Sequence, residues 1–257
     1  MQLAFDRAGG GPPVLLIHAG IADRRMWRPQ LEQLASRVDL VAPDLPGFGD
    51  SPTPEGPFSP VAELAGLLDR VEISRADVVG CSLGGSTALD FALAHPDRVR
   101  GLVLIGSGIG GLALGAEDHE LYADIEAAEG AGDLDALNEA EIRLWVDGPS
   151  RPAGAVNAAV RDAVLQMNGD SLRRPEWEGS WWQALDPPAS GRLGEVSAPT
   201  LVMVGQHDVP HCLKAADLLA ASIRGATKRV IPDTAHLPSL ERPDLVNPLL
   251  VEFFQGL

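Results

Sequence analysis

Short apolar runs alternate with longer amphipathic stretches along most of this chain. Runs of this length that are almost wholly apolar are typical of strands buried on both faces of a parallel sheet. They predict strands at 13–18, 38–42, 77–79, 102–105, 199–204 and 227–231. The stretches between them have apolar residues at helical spacing and predict helices at 28–36, 59–72, 83–95, 211–223 and 244–254. This alternation predicts an α/β fold with a doubly wound, mostly parallel sheet.

One long region interrupts the alternation. Residues 112–189 contain no convincing strand pattern, and their apolar spacing predicts helices at 117–128, 134–146, 152–168 and 176–184. A chain of 257 residues suits one large α/β domain with an inserted subdomain. We therefore expect a core formed by residues 1–111 and 190–257, with residues 112–189 inserted as a helical subdomain that covers one edge of the sheet.

The amino-acid composition limits the kinds of molecule that we expect this protein to bind. The formal net charge is −16, whereas binding to nucleic acids or anionic membranes needs clustered Lys and Arg. No apolar segment approaches the length of a membrane span, and the first residues lack the pattern of a secretory signal. Two cysteines make no disulfide framework, and the histidines and cysteines lack metal-ligand spacing. We expect a cytoplasmic protein without metal or cofactor that binds neither nucleic acid nor membrane; a homo-oligomer is left open.

The most informative motif is centred on Ser82. It is Gly-Cys-Ser-Leu-Gly at 80–84, between the strand predicted at 77–79 and the helix predicted at 83–95. A serine on such a sharp strand-to-helix turn is a nucleophile elbow. The crowded backbone there leaves room only for glycine two residues before and two residues after the serine. The motif therefore predicts that Ser82 is a nucleophile.

Cys81 is the alternative nucleophile in the same motif. With Cys81 at the apex, the crowded positions would fall on Val79 and Leu83, and neither residue is small. A free cysteine usually behaves as a small apolar group. We therefore expect Cys81 to be a buried packing residue beside the strand.

Acyl transfer by serine also needs a base and a group that orients the base. His236 is the only histidine on the loop after the last predicted strand, and its neutral imidazole would accept the Ser82 proton, so activity should fall in acid. Asp208 follows the strand at 199–204, and catalytic groups of parallel sheets lie beyond the carboxyl ends of strands. The rival acid, Asp233, lies on the same loop as His236, a poor position for reaching the imidazole from behind.

Backbone N–H groups are the expected donors to the oxyanion. Leu83 follows the nucleophile and opens a helix, whose dipole adds positive potential. The second donor should come from the loop after the strand at 13–18, where we choose Gly20, with Ile21 as the alternative. His18 is expected to shape this loop rather than to catalyse.

The sequence resembles the α/β-hydrolase family over almost its whole length. The matching motifs are Leu-Leu-Ile-His-Ala-Gly at 15–20 with Met-Trp at 26–27, Pro-Asp-Leu-Pro-Gly-Phe-Gly-Asp-Ser at 43–51, the elbow, Gly-Gln-His-Asp at 205–208, and Ala-His-Leu at 235–237 with Glu-Arg-Pro at 241–243. The family usually has His-Gly where this chain has His18-Ala19. The resemblance implies the α/β-hydrolase fold, with residues 112–189 as a cap over the active site.

The resemblance also implies a class of reaction. Haloalkane dehalogenases and epoxide hydrolases of the family use an aspartate at the elbow, unlike Ser82. Carbon–carbon bond hydrolases often carry Asn before the serine and Trp after the base, where this chain has Cys81 and Leu237. The chain looks most like small carboxylesterases and enol-lactonases, which implies hydrolysis of an ester or lactone through an acyl-enzyme. A carbon–carbon hydrolase, lyase, cyclase or perhydrolase using the same site is the alternative. A ligand-binding protein is disfavoured by the complete set of catalytic residues.

Aromatic residues are the candidates for substrate contact. Most of the tryptophans lie within residues 112–189, where they favour either an aromatic-lined pocket for an apolar or ring-bearing substrate or the small core of a helical subdomain. Arg24 and Arg25 suit a substrate carboxylate, but we favour side chains that are solvated or paired with neighbours such as Asp23. The residues expected at the substrate are Ile21, Trp27, Trp145 and Trp181.

Overall fold

A seven-stranded sheet forms the centre of the fold. The computed structural model describes residues 1–113, 115–152, 154–174 and 181–257, with the backbone alone for residues 116–118. In sheet order β1-β3-β2-β4-β5-β6-β7, β1 is antiparallel to its neighbour and the other strands are parallel. The strands are β1 (Phe5–Gly9), β2 (Pro13–Ile17), β3 (Asp39–Pro43), β4 (Ala76–Cys81), β5 (Val99–Ile105), β6 (Thr200–Gly205) and β7 (Thr227–Ile231).

Helices connect the strands and fill the long region between β5 and β6. None of the helices in the described ranges is long and apolar enough to cross a membrane. A π-helix, Arg143–Asp147, follows directly on α5. The α-helices are α1 (Arg28–Leu34), α2 (Pro60–Arg70), α3 (Leu83–Ala94), α4 (Ala123–Ala131), α5 (Leu134–Ile142), α6 (Ala158–Leu172), α7 (Pro210–Ser222), α8 (Pro238–Glu241) and α9 (Pro243–Gln255).

Each face of the sheet has its own core. Successive side chains of a strand point to opposite faces, and β2 shows this clearly. Leu15 and Ile17 belong to the cluster that includes residues of α2, α3 and α7. Val14 and Leu16 belong to the cluster that includes residues of α1 and α9. Burial on both faces explains why the central strands are apolar runs, and the shared strand direction brings the loops after β2, β4, β6 and β7 to one edge.

The predicted α/β fold and all six predicted strands are confirmed, with bounds shifted by up to three residues. One strand, β1, was not predicted, because Phe5–Gly9 mixes charged and small residues and is mostly exposed at the sheet edge. The helix predicted at 152–168 begins instead at Ala158, where the Asn157 side chain accepts the Ala159 N–H at 2.9 Å. The helix predicted at 134–146 ends at Ile142 and continues as the π-helix.

The region between β5 and β6 packs its own small core. The predicted helix at 117–128 is a 3-10 helix followed by α4. The helix predicted at 176–184 falls partly outside the described residues, and its described end is not α-helical, since Trp182 forms an isolated parallel bridge with Phe58. The division into a core of 1–111 and 190–257 and a cap of 112–189 stays a prediction. The buried residues of this small core are Ile125, Ala128, Leu137 and Leu144, with Val209 and Cys212 from the segment after β6.

Candidate active site

Ser82 occupies a sharp turn between β4 and α3. Its φ of 54° and ψ of −115° lie in a region that side chains rarely adopt, and strain of this kind costs about 1–3 kcal/mol. Its N–H donates to the Ile105 carbonyl at 2.8 Å, which holds the turn. A Cβ at Gly80 would lie 2.0 Å from the Gly84 carbonyl oxygen, and one at Gly84 would lie 2.3 Å from the Ile17 carbonyl oxygen. Glycine is therefore required at both places, as the motif predicts.

His236 and Asp208 converge on this serine from two other loops. His236 Nε2 lies 2.6 Å from Ser82 Oγ, although the two residues are 154 positions apart. His236 Nδ1 lies 2.9 Å and 3.1 Å from the two carboxylate oxygens of Asp208. The arrangement fits the tautomer in which Nδ1–H donates to Asp208 and Ser82 Oγ–H donates to Nε2. His236 and Asp208 are almost fully buried.

Asp208, rather than Asp233, is the carboxylate placed against the imidazole. Asp208 Oδ1 also accepts the N–H of Val209 at 2.8 Å, which fixes the carboxylate behind the ring. Asp233 has a left-handed φ of 56°, and its carbonyl accepts a hydrogen bond from Arg151 at 3.0 Å. Within the described residues, no hydrogen bond joins the Asp233 carboxylate to His236.

Two backbone segments near Ser82 offer donors. A Cβ at Gly20 would lie 3.5 Å from the Leu83 side chain, so the loop after β2 abuts the start of α3. In the described part of the chain, the N–H groups of Gly20, Ile21 and Leu83 donate to no protein acceptor. Leu83 is the first residue of α3, where helix N–H groups have no intrahelical partner and the helix dipole is positive. These groups suit the binding of a developing negative charge.

His18 shapes the loop after β2. Its Nδ1–H donates to the Ala19 carbonyl at 2.9 Å, and its Nε2 accepts the Leu45 N–H at 2.9 Å. Complete burial lowers the pKa of His18, so the ring is neutral and can make both bonds. The ring therefore ties this loop to the segment after β3, as expected from the sequence.

Cys81 is a buried residue, as predicted. None of its surface is exposed, and its Sγ–H approaches the His236 carbonyl at 3.7 Å as a weak donor. Burial strongly raises the pKa of the Cys81 thiol. Because the thiolate is the nucleophilic form, this thiol is unreactive beside Ser82.

Trp145 lies directly against the imidazole of His236. The two ring centroids are 4.4 Å apart, with an interplanar angle of 38°. The indole also makes an edge contact with Tyr122 at 6.0 Å and with His211 at 5.9 Å. This tryptophan therefore adjoins the site, and the substrate contact expected of it stays a prediction.

The other residues expected at the substrate lie in different surroundings. The Trp181 carbonyl accepts the Phe58 N–H at 2.8 Å, and its side chain is half-buried. Trp27 has no exposed surface and packs in the core on the α1 and α9 face, so we leave it out of the proposed pocket. Ile21 is 8% exposed. Trp177 lies outside the described residues.

The arginines near the oxyanion loop are paired with acidic neighbours. Arg24 binds Asp44, which is fully buried, and Asp50 at 2.6 Å. Arg25 binds Asp23 at 2.6 Å. Of the two states favoured from the sequence, solvated or paired, the structure shows pairing, so both guanidinium groups are already engaged.

One cluster of the described residues has the chemistry of a metal site. The ligand atoms of Asp208, Cys212 and His236 lie within 4.8 Å of one another. The spacing of these residues in the sequence gives no indication of this. Because Asp208 and His236 are hydrogen-bonded to each other, a metal ion would have to displace that bond.

A buried ion pair beside the site was not anticipated. Arg151 and Glu241 lie 2.7 Å apart with side chains 3% and 5% exposed, next to the loop of His236. Glu241 belongs to a motif that carries the family resemblance, but nothing in that motif indicates its partner. A single arginine in a polar loop belongs to no recognisable sequence pattern, so only the tertiary structure reveals the pair.

Comparisons with known proteins agree with the fold. The family model for the alpha/beta hydrolase fold matches residues 12–243. The carboxylesterase YbfK of Bacillus subtilis is 25% identical over 258 residues, which cover 95% of this chain and 81% of that protein. The 2-hydroxy-6-oxo-2,4-heptadienoate hydrolase of Pseudomonas putida is 42% identical over 106 residues. A thermophilic esterase from Thermogutta terrifontis superposes with a TM-score of 0.78 at 27% identity, covering 99% of this chain and 93% of that one.

These matches differ in what they support. The similarity to the Pseudomonas putida protein covers only 38% of each chain, so it does not carry over that protein's activity. The family model spans most of the chain and agrees with the observed sheet. The chain belongs to the α/β-hydrolase fold family, as an enzyme with carboxylesterases among its relatives.

Proposed function

We propose that this protein is a serine hydrolase that cleaves a small carboxylic ester or lactone through an acyl-enzyme on Ser82. The observation that carries the proposal is one unbroken line of hydrogen bonds. It runs from Ser82 Oγ to His236 Nε2 at 2.6 Å and from His236 Nδ1 to Asp208 at 2.9 Å. This line supports transfer of the serine proton to the imidazole as the nucleophile attacks.

The geometry supports the following sequence of steps. Ser82 Oγ attacks the carbonyl carbon while His236 Nε2 takes its proton, and Asp208 stabilises the imidazolium. The N–H groups of Leu83 and Gly20 donate to the oxyanion of the tetrahedral intermediate. His236 then returns the proton to the leaving alkoxide, and a water activated by the same base hydrolyses the acyl-enzyme. With a lactone the alkoxide stays attached to the acyl group, so the product is a hydroxy acid.

Residues 112–189 are proposed to act as the cap of this site. Trp145 of that region touches the base, and Trp181 lies in the same region. Together with Ile21 and the Leu83 side chain, these residues offer apolar surface to the acyl part of a substrate. The wall beside the base would therefore favour an apolar acyl chain or ring.

Hydrolysis of model substrates tests the proposal. The wild-type protein is expected to hydrolyse p-nitrophenyl esters or γ- and δ-lactones, and a fluorophosphonate probe is expected to label Ser82. Ser82→Ala should lower kcat by at least about 10⁴-fold and abolish labelling. Ser86→Ala is the matched control, because Ser86 lies one turn later on α3 and its hydroxyl donates to the Leu83 carbonyl at 2.9 Å. Undiminished hydrolysis by Ser82→Ala would exclude the proposed nucleophile.

Carbon–carbon bond hydrolysis is the second candidate. The Pseudomonas putida relative, a 2-hydroxy-6-oxo-2,4-heptadienoate hydrolase, is the observation that favours it. The same nucleophile would serve, so labelling does not separate the two reactions. Turnover of that dienoate is measured from the change in its absorbance. If the protein turns over the dienoate and hydrolyses no ester or lactone, the second proposal replaces the first.

A further inference from the structure

The helical turn that ends just before residue 148 lies against the loop that carries His236. This turn is the π-helix Arg143–Asp147, and carbonyl groups at a helix end need donors from outside the helix. The His236 N–H donates to the Trp145 carbonyl at 3.2 Å. The Trp145 ring packs on the imidazole of the same residue. One residue of the π-helix therefore holds His236 at its backbone and at its ring.

The next two carbonyls of the π-helix are bound by Arg151. Its Nε–H donates to the Asp147 carbonyl at 2.7 Å, and its Nη2 donates to the Val146 carbonyl. Its Nη1 donates at 3.0 Å to the carbonyl of Asp233, in the loop that leads to His236. A guanidinium is planar and always charged, so it can serve three fixed acceptors at once. One buried side chain therefore joins the π-helix to the loop of the base.

Glu241 completes this connection from the other side. Its Oε2 accepts from Arg151 at 2.7 Å, and its Oε1 accepts the N–H of Ala235 at 2.9 Å. Ala235 directly precedes His236 in the chain. Because both side chains are almost fully buried, removal of either charge leaves the other without its partner in a medium that solvates charge poorly. The two residues therefore act as a unit.

We propose that Arg151 and Glu241 are positioning residues for His236. The pair fastens the base loop to the π-helix, and this contact keeps the imidazole within hydrogen-bond reach of Ser82. The inference rests on the proposed function, because it takes His236 as the base. It goes beyond that function because none of the hydrogen bonds of this pair reaches Ser82, Asp208 or the imidazole.

Three variants test this role through the rate. Glu241→Gln keeps an acceptor for the Ala235 N–H but removes the charge that faces Arg151. Arg151→Lys keeps a charge but cannot reach three carbonyls. Both should lower kcat by about 10- to 100-fold with KM changed less than about twofold, since a base misplaced by about 1 Å costs that much. Glu32→Gln is the control: its partner is Arg28 on α1, and its side chain is 60% exposed, so kcat should stay at the wild-type value.

Amide hydrogen exchange supplies a readout that needs no substrate. In Glu241→Gln and Arg151→Lys, the amides of residues 235–237 should exchange faster than in the wild type, while Glu32→Gln leaves them unchanged. If the wild type hydrolyses no ester or lactone, the proposed function fails and exchange still decides whether the pair fastens the loop. Should Glu241→Gln not fold, Arg151→Lys decides alone. The proposal is overturned if the folded variants retain wild-type exchange, or if kcat falls only in proportion to the folded fraction measured by circular dichroism.

Discussion

Gly205→Ala tests the contact between the loop after β6, which carries Asp208, and the loop that carries His236. Gly205 ends β6, and a Cβ built on it would lie 1.9 Å from the carbonyl oxygen of Ala235, which directly precedes His236. Cβ contacts shorter than 3.0 Å essentially do not occur, so the two backbones must separate by about 1.1 Å. The φ of Gly205 lies outside the left-handed region, so the steric clash alone decides the outcome.

We expect both the rate and the stability to fall. A displacement of about 1 Å at the loop of His236 would stretch the 2.6 Å contact between Nε2 and Ser82 Oγ beyond hydrogen-bond length. Misplacement of this size costs about 100-fold in kcat/KM. Overpacking costs about 1–3 kcal/mol of the free energy of unfolding, which lowers Tm by roughly 2–4 °C per kcal/mol in a chain of this size.

The assay compares kcat/KM on the best p-nitrophenyl ester with Tm by calorimetry. The matched control is Gly194→Ala, because a Cβ at Gly194 meets nothing within 4 Å and its φ is also outside the left-handed region. The control should behave as the wild type in both measurements. A folded Gly205→Ala protein with kcat/KM within about threefold of the wild type would refute the reasoning, because the contact could then relax without moving His236.

Two further predictions concern the dependence of stability on pH. Burial raises the pKa of Asp90 to about 6, so its ionisation opposes folding as pH rises through that value. Asp90→Asn should raise the free energy of unfolding in urea by about 1 kcal/mol at pH 7.5, allowing for partial exposure, and change it little at pH 4; equal gains at both pH values would exclude this cause. Burial lowers the pKa of His18, so the unfolded chain takes up a proton that the folded chain does not. Wild-type stability should therefore decline as pH falls below about 6.5, and His18→Gln should flatten that decline; an unchanged slope would show that other groups cause it.

Sequence patterns located most of the core because buried parallel strands leave a strong local signal. The apolar runs at 102–105 and 199–204 correspond to β5 and β6, whose central residues are buried on both faces. The edge strand β1 gave no such signal, since mostly exposed residues need not be apolar. The π-helix was missed for a related reason, because one extra residue in a turn changes hardly anything in the apolar spacing that predicts a helix.

The candidate site likewise contains residues that the sequence could identify and residues that it could not. Ser82, Asp208 and His236 could be chosen from the sequence because each follows a predicted strand of one parallel sheet, and such strands end at one edge. Ser82 had the further signal of its two glycines. Arg151 had no such sequence signal, because its hydrogen-bond acceptors lie in segments that are far from one another in the chain.

The sequence by itself determined the family, the order of strands and helices in the core, and the serine and histidine on the hydrogen-bonded line. Those properties follow from local periodicity and from backbone crowding at one turn. Only the tertiary structure decided that Asp208 rather than Asp233 meets the imidazole, that Trp145 packs on it, and that a buried ion pair fastens its loop. These contacts join residues separated by tens of positions, and their distances are set by how helices and sheet pack together.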